Sequence, residues 1–306
     1  MTAYLQGFGK YLPERVVTNA EIAARIGRTA EWIESASGIR ERRWAAPEIS
    51  VSDLAVAAGE DCLRNCGAEK PGMVIVASGS ARPGFPGPAA EVAARLGCEG
   101  QPAIDVPMAS AGSLYALAMA AQFAAQVASV LVIGAEKMSA VLEQAKEPDP
   151  NTFMLFGDGA GAALISSQPG RWRVLDFVLH SEGQFRDDLT FDWSTPLRMN
   201  GLSVIMQASR KLPGAINEVL ARQNVAAGQV AAFLLHQANQ NLIVRVARGL
   251  NVPEEKFFSN IAQYGNTSSA SMLIAAAEWA ASNPEPGPVV FAAFGAGFHW
   301  GALLAE

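Results

Sequence analysis

Residues 104–120 read IDVPMASAGSLYALAMA, and this stretch predicts how the chain folds around it. A short strand at 103–106 leads into a turn of small residues, and a helix of small residues follows at 112–127. Ser110 lies in the turn. The N–H groups and dipole at a helix start stabilise negative charge, so the turn is suited to present Ser110 as a nucleophile. Serine is also a favoured N-cap residue, and local sequence alone favours that simpler role.

Apolar strands alternate with helices on either side of this stretch. Strands are predicted at 73–77 and at 130–133, where Gly134 ends the strand, and a helix at 88–96. The alternation predicts an α/β fold with a mainly parallel sheet that helices cover on both faces. Polar residues interrupt the most apolar stretch, 101–135, so we interpret it as strand, turn, buried helix and buried strand rather than as a membrane span.

The second half of the chain repeats this order. Strands predicted at 232–235 and 289–293 and the turn at Asn266 follow their first-half counterparts at a spacing of roughly 155–160 residues. The shared spacing predicts an internal duplication. We therefore expect two similar halves, residues 1–168 and 169–306, that form one compact unit.

Composition excludes several classes of protein. Hydrophobic residues make up 50% of the 306 residues and charged residues 17%, which excludes disorder and predicts a large interior. The formal net charge of −6 argues against a nucleic-acid binder. The chain begins without a signal-peptide pattern, and three cysteines suit a reducing cytoplasm. The histidines and cysteines show no metal-ligand spacing, so no metal site is expected.

Two polar residues in the second half are candidates for a site. His236 directly follows the 232–235 strand, at the edge where sites of α/β sheets form, although a hydrogen-bonded core histidine is an equal alternative. Asn239 is a candidate N-cap. Asn266 precedes a predicted helix and is either a capping residue or a neutral donor to a carbonyl oxygen or enolate.

Taken together and in this order, the motifs resemble the β-ketoacyl-acyl carrier protein synthase III family, which has the thiolase fold. The resemblance spans nearly the whole chain and rests on these segments: YLPERVVTNAEI (11–22), EWIESASGIRERRW (31–44), GFPGPAA (84–90), DVPMASAGSLYAL (105–117), LFGDGAGAAL (155–164), HQAN (236–239), YGNTSSAS (264–271) and FGAGFHWG (294–301). The spacing of HQAN and GNTS is its most specific marker.

The resemblance implies a thiolase-like, five-layered αβαβα fold built from two duplicated halves. It implies a homodimeric acyltransferase that joins an acyl thioester to malonyl-acyl carrier protein by decarboxylative Claisen condensation, in fatty-acid or polyketide-type biosynthesis. No cofactor is implied, because acyl carrier protein or coenzyme A carries the substrates.

Family site residues transfer to this chain by position. The catalytic Cys, His and Asn correspond to Ser110, His236 and Asn266, and the oxyanion hole corresponds to the backbone N–H groups of Ser110 and Ala296. The residue that reaches across the dimer to close the partner's acyl pocket corresponds to Phe85.

The resemblance also implies a substrate path. Trp32 matches the residue that stacks on the adenine of coenzyme A, and three further residues are expected at the substrate: Phe153, Phe156 and Asn239. The arginine that docks the carrier protein is replaced by Asn241, and we expect Arg245 and Arg248 on the same helix to serve instead.

Two arginines that hold coenzyme A in the family are replaced here, by Ala36 and Pro150. Neutral residues remove the pairing with phosphate, so we expect weak binding of free coenzyme A. A carrier protein or a specialised acyl donor is the expected alternative.

The serine at the nucleophile position leaves three alternatives open. Ser110 is a natural nucleophile with His236 as its general base, or an introduced Cys→Ser change, or the mark of a chain that has lost acylation and keeps decarboxylation or binding. Two other functions also stay open. One is an O- or N-acyltransferase or thioesterase, and the other is an inactive partner subunit of another synthase, against which the intact His236 and Asn266 argue.

Overall fold

The protein is described by a computed structural model that covers residues 2–82 and 84–306. Its strands are β1 (Ala3–Tyr11), β2 (Val16–Thr18), β3 (Glu41–Arg43), β4 (Val74–Ala77), β5 (Ala103–Val106), β6 (Ser129–Lys137), β7 (Asp158–Ser166), β8 (Trp172–Ser181), β9 (Leu189–Asp192), β10 (Thr195–Met199), β11 (Ala232–Leu235), β12 (Val289–Gly295) and β13 (His299–Ala305). Its α-helices are α1 (Asn19–Ile26), α2 (Ala30–Ser37), α3 (Val51–Cys66), α4 (Pro88–Arg95), α5 (Gly112–Val127), α6 (Met138–Leu142), α7 (Pro150–Phe153), α8 (Gly201–Arg222), α9 (Gln240–Leu250), α10 (Ile261–Tyr264) and α11 (Ser271–Ala281).

The main sheet has nine strands in the order β11-β12-β13-β8-β1-β7-β6-β4-β5. Its two sides mirror each other. In the first, β4 pairs parallel with β6, β6 antiparallel with β7, and β7 antiparallel with β1. The second side follows the same order: β11 pairs parallel with β12, β12 antiparallel with β13, and β13 antiparallel with β8. This correspondence is that of a fold built from two similar parts, which meet where β1 pairs with β8.

The expectation of a mainly parallel sheet was wrong, because five of the eight described strand pairs in the main sheet are antiparallel and three are parallel. Parallel neighbours need a long crossover, which α4, α5 and α11 supply, whereas a short turn joins β12 to β13 and makes that pair antiparallel. The expected end of β6 at Gly134 was also wrong. Gly134 keeps its pairing with Gly161, and the strand runs on to Lys137.

Helices cover the sheet in three layers. The helices α5 and α11 lie between the two halves and pack on strands of both. The helices α3 and α4 cover the outer face of the first half, and α8 and α9 cover the outer face of the second. This is the five-layered αβαβα arrangement, and it explains the small apolar residues of α5, because a helix between two sheets is buried on nearly every side.

Across the part of the chain that is described, none of the helices combines the length and the apolar character needed to span a bilayer.

Candidate active site

Ser110 lies in a backbone elbow between β5 and α5. Its φ of 63° is in the left-handed region, which costs a residue with a side chain about 1–2 kcal/mol. Ala111, not Ser110, is the N-cap of α5, and no side chain caps that helix. The N-cap interpretation of Ser110 was therefore wrong. The elbow instead turns the side chain toward a cavity, where 7% of the residue stays exposed.

Gly295, at the end of β12, packs against the backbone of the elbow. A Cβ atom at Gly295 would lie 2.2 Å from the carbonyl oxygen of Ala109, 2.7 Å from the amide nitrogen of Ala111 and 3.0 Å from Cβ of Ser110. Only glycine therefore allows β12 to approach the elbow this closely. The strand end at Gly295 and the start of α5 hold the backbone of Ser110 between them.

We expect Gly295→Ala to lower the free energy of unfolding by about 1–3 kcal/mol, because the added methyl group overlaps backbone that cannot move aside. Urea denaturation measures the change. The matched control is Gly214→Ala in α8, where a Cβ atom meets nothing within 4 Å. That variant should be as stable as the parent or up to about 1 kcal/mol more stable. Equal stability of both variants would contradict the close packing.

His236 directly follows β11, and its ring is fixed by a neighbouring helix. Its Nδ1 lies 2.6 Å from the hydroxyl oxygen of Ser271, and that oxygen accepts a hydrogen bond from the backbone N–H of Gln237 at 3.0 Å. Among the described residues, Nδ1 is the acceptor within reach of the Ser271 hydroxyl hydrogen, so we assign the hydroxyl as the donor to Nδ1. We assign the tautomer with hydrogen on Nε2, so His236 offers the cavity a donor rather than a base.

Burial lowers the pKa of His236 from 6.5 to about 4. The ring is therefore neutral at physiological pH, and any reaction that uses its Nε2–H should show no titration of His236 between about pH 5.5 and 8. The unfolded chain binds the proton first, so stability should fall as the pH drops from 6.5 toward 4. A ¹H–¹³C NMR titration, assigned with His236→Ala, checks this, and a midpoint near 6.5 would contradict it.

The side-chain oxygen of Asn266 accepts a hydrogen bond from a nearby residue, and its side-chain nitrogen is available to the cavity. The oxygen accepts from the backbone N–H of Ser268 at 2.8 Å, so the residue does cap a turn. Its backbone N–H donates to the carbonyl of Leu155 at 2.8 Å, and its own carbonyl accepts from the N–H of Gly157 at 3.1 Å. The 155–157 segment thus fixes Asn266 from behind. Nδ2 has one weak contact, 3.5 Å from the carbonyl oxygen of Ala238.

Ser110, His236 and Asn266 converge on one cavity of about 80 Å³. None of the described residues around it carries a formal charge at neutral pH. Most of its wall is apolar and comes from the segment before β7, the β9–β10 hairpin and helices α8 and α9: Leu155, Phe156, Leu189, Met199, Val204, Ile205, Ala208, Leu212 and Leu242. The cavity can bind an apolar chain and presents hydrogen-bond donors to one polar group.

Two predicted interactions of the cavity are occupied or unformed in this structure. Among the described residues no hydrogen bond joins the Ser110 hydroxyl to His236. The backbone N–H of Ser110, predicted for the oxyanion hole, donates to the hydroxyl oxygen of Ser268 at 3.0 Å. Ala296 lies beside a neighbouring cavity.

The predicted substrate residues divide into two groups. Phe156 and Asn239 line the cavity, and Asn239 also caps α9 by accepting from the N–H of Asn241 at 2.8 Å. Phe153 does not line it. Its ring is buried against Trp44 at 6.1 Å between centroids, so Phe153 belongs to the core and the prediction is corrected. Trp32 lies outside the cavity wall, with the guanidinium of Arg28 5.4 Å from its ring.

The other predicted contacts lie at the surface. Phe85 is 98% exposed. Arg245 and Arg248 are exposed on α9, where Arg248 pairs with Glu254 at 3.3 Å. Sequence reasoning missed Ser268 and Ser271, which hold the Ser110 amide and the His236 ring. Both stand inside the quoted YGNTSSAS segment, where a run of hydroxyl residues beside Asn266 was the available signal.

A thiolase-type fold that gathers an elbow serine, a neutral histidine and an asparagine amide on one apolar cavity is the arrangement of a condensing acyltransferase. Family comparison agrees. Residues 104–183 match the model for 3-oxoacyl-[acyl-carrier-protein (ACP)] synthase III, and residues 220–306 match the model for its C-terminal part. The chain belongs to the 3-oxoacyl-[acyl-carrier-protein] synthase III family.

Individual relatives support the assignment over the full chain. The β-ketoacyl-[acyl-carrier-protein] synthase III of Ehrlichia ruminantium (strain Gardel) is 37% identical over 98% of both chains. The structure of the Pseudomonas aeruginosa PAO1 synthase III covers 100% of this chain and 98% of its own, with TM-score 0.94 and 33% identity. The priming β-ketosynthase of the R1128 polyketide pathway covers 99% and 96%, with TM-score 0.89 and 30% identity.

Proposed function

We propose that the protein condenses an acyl group carried on Ser110 with malonyl-acyl carrier protein, with loss of carbon dioxide. The convergence of the Ser110 hydroxyl, His236 and Asn266 on one uncharged cavity carries the proposal. Full-length similarity to named synthases supports the substrate class, in fatty-acid or polyketide-type biosynthesis. The reaction needs no cofactor, because both substrates are activated thioesters.

In the first step, the Ser110 oxygen attacks the thioester carbonyl, the C–S bond breaks, and the thiol leaves with the hydroxyl proton. The product is an oxyester on Ser110. The oxyanion would be held by the N–H groups of Ser110 and Ala296. For Ser110 this requires the substrate oxygen to displace the Ser268 hydroxyl from the amide, since the two compete for one donor.

In the second step, the malonyl C–C bond to the carboxylate breaks, and its electron pair forms an enolate on the thioester. His236 Nε2–H and Asn266 Nδ2–H donate to the enolate oxygen, where the charge accumulates. The uncharged cavity favours this step, because the carboxylate leaves as neutral carbon dioxide. The enolate carbon then attacks the oxyester, the C–O bond breaks, and the Ser110 oxygen takes up a proton from water.

Intact mass spectrometry after incubation with acyl thioesters tests the first step, with Ser110→Ala as control. Release of carbon dioxide from malonyl-carrier protein tests the second. An adduct on the parent alone, with carbon dioxide released, supports the proposal. Carbon dioxide without an adduct would show that the chain keeps decarboxylation only. Neither signal with any donor would refute the proposal.

We propose that the protein acts as a homodimer in the cytoplasm. Phe85 projects from its loop with 98% exposure, and β5 forms an open edge of the sheet. Beside the elbow, a cavity of about 350 Å³ is lined by Met108, Phe191 and Ala296 among others, and its size suits an aromatic ring from a second copy.

Light scattering should show a dimer, and Phe85→Ser should weaken it. The control is Leu202→Ser, at an exposed position on α8, which should leave the dimer intact. A monomeric parent would refute this.

The two halves, residues 1–168 and 169–306, are proposed to act as one unit, with the nucleophile in the first and the two donors in the second. The boundary falls between β7, which ends at Ser166, and β8, which begins at Trp172.

We propose that a carrier protein, rather than free coenzyme A, delivers the acyl groups. Arg245 and Arg248 lie on α9, whose first turn borders the cavity, and they are placed to contact an acidic carrier. Ala36 and Pro150 offer no charge to the phosphates of coenzyme A. Isothermal titration calorimetry should show weak binding of acetyl-coenzyme A, and tight binding would overturn this preference.

A further inference from the structure

Glu136 is a buried carboxylate that neither proposed reaction step uses. It lies near the end of β6, and the residue is 0% exposed. Such burial is costly unless hydrogen bonds satisfy the oxygens. Here the carboxylate joins two segments that are far apart in the chain: the 78–80 loop after β4, and the turn at Ser269 that follows Asn266.

Six donors surround the two carboxylate oxygens. Oε2 accepts from the N–H and hydroxyl of Ser80 and from the hydroxyl of Ser78, and the N–H of Gly79 lies 3.0 and 3.1 Å from the two oxygens. Oε1 accepts from the N–H of Ser269 at 3.2 Å and from its hydroxyl at 2.6 Å. Both oxygens act as acceptors only, which is the pattern that a carboxylate satisfies.

Strand β6 also packs closely against the backbone of the turn at Ser269. A Cβ atom at Gly134, two residues before Glu136, would lie 2.4 Å from the carbonyl oxygen of Ser269. Residues two apart on a strand face the same side, so Gly134 and Glu136 approach the same turn. The Ser269 turn is therefore held by close backbone contact and by the carboxylate together.

Two site contacts depend on this turn. The Ser268 hydroxyl accepts from the N–H of Ser110 at 3.0 Å, and the Ser268 N–H donates to the side-chain oxygen of Asn266 at 2.8 Å. Ser269 is the next residue along. We propose that Glu136, through Ser269, is a positioning residue that orients the Asn266 amide and the Ser268 hydroxyl. The expected effect on turnover rests on the proposed function, whereas the structural role of Glu136 does not.

The paired variants Ser269→Ala and Ser80→Ala test the proposal, since each removes one hydroxyl from the same carboxylate. Each hydroxyl also has one further contact, Ser269 with the carbonyl of Ala77 and Ser80 with the N–H of Lys137. The variants should therefore lower Tm by similar amounts. Only Ser269 lies on the turn that carries Asn266, so only Ser269→Ala should impair the chemistry.

Hydrogen–deuterium exchange and kinetics on the full-length protein give separate readouts. Ser269→Ala should speed exchange in peptides covering 264–271 and lower kcat for malonyl-carrier protein decarboxylation about 10-fold, with KM within twofold. Ser80→Ala should speed exchange around 78–82 and leave kcat within twofold. Unchanged exchange at 264–271 in Ser269→Ala, or equal kcat losses in both variants, would overturn the proposal. Absence of turnover in the parent would refute the proposed function and leave the exchange result to decide the role of Glu136.

Discussion

Exchanging Ser110 for cysteine should raise the rate at which the protein takes up an acyl group by at least about 10²-fold near pH 7.5. A hydroxyl needs a general base at this pH, and among the described residues no basic side chain hydrogen-bonds to the Ser110 hydroxyl. His236 presents Nε2–H to the cavity because Nδ1 is occupied by Ser271. A thiol is a few per cent ionised without help, and the start of α5 favours the thiolate further.

Stopped incubations followed by intact mass spectrometry measure this rate with a fixed acyl donor. Ser113→Cys is the matched control, because it adds a thiol at a buried position, the second residue of the same helix. The control should acylate no faster than the parent. The three native cysteines are present in every variant and give the common background. Equal acylation rates for Ser110→Cys and the parent would show that the protein activates the serine hydroxyl as effectively as a thiol.

Replacing His236 with alanine should lower the rate of malonyl-carrier protein decarboxylation by about 10²–10³-fold, the loss typical of removing one donor from a developing oxyanion. In the proposed reaction this donor is neutral and buried, so it would stabilise the enolate in a setting from which bulk water is excluded. Asn266 remains as the second donor, which is why some activity should survive.

His180→Ala is the control, since His180 pairs with Glu218 at 2.8 Å and does not line the cavity. That variant should stay within about threefold of the parent, as expected for a partly exposed pair away from the chemistry. Single-turnover release of carbon dioxide measures both rates. Similar losses in the two histidine variants would mean that His236 acts through stability and not as a donor.

Much of the fold was predictable because local pattern and global packing agree. The small residues of 112–127 predict a helix with no polar face, and the structure buries that helix between two sheet halves. Strand direction was not predictable in the same way. A strand that is buried on both faces, such as β7, has the same apolar sequence pattern whether its neighbours are parallel or antiparallel. Only the shortness of the β12–β13 connection points to the antiparallel sense.

The candidate site was predictable as a set of residues but not as a set of contacts. His236 and Asn266 stand in recognisable motifs, and the structure places both on one cavity with Ser110. Sequence did not show that Ser271 fixes the histidine tautomer, since the two residues are 35 positions apart. Nor did it separate Phe153 from Phe156. They are three residues apart and both belong to the same buried cluster, but of the two only Phe156 also lines the cavity.

The central layer of α5 and α11 has a consequence for how the chain is made. When the first half has left the ribosome, α5 has met only one of the two sheet halves that bury it. At about 5–20 residues per second, the remaining 138 residues follow over roughly seven to thirty seconds. For that interval an apolar helix stands uncovered, and a nascent chain stalled there would be a target for chaperones or aggregation. Expression of residues 1–168 alone should accordingly give insoluble protein.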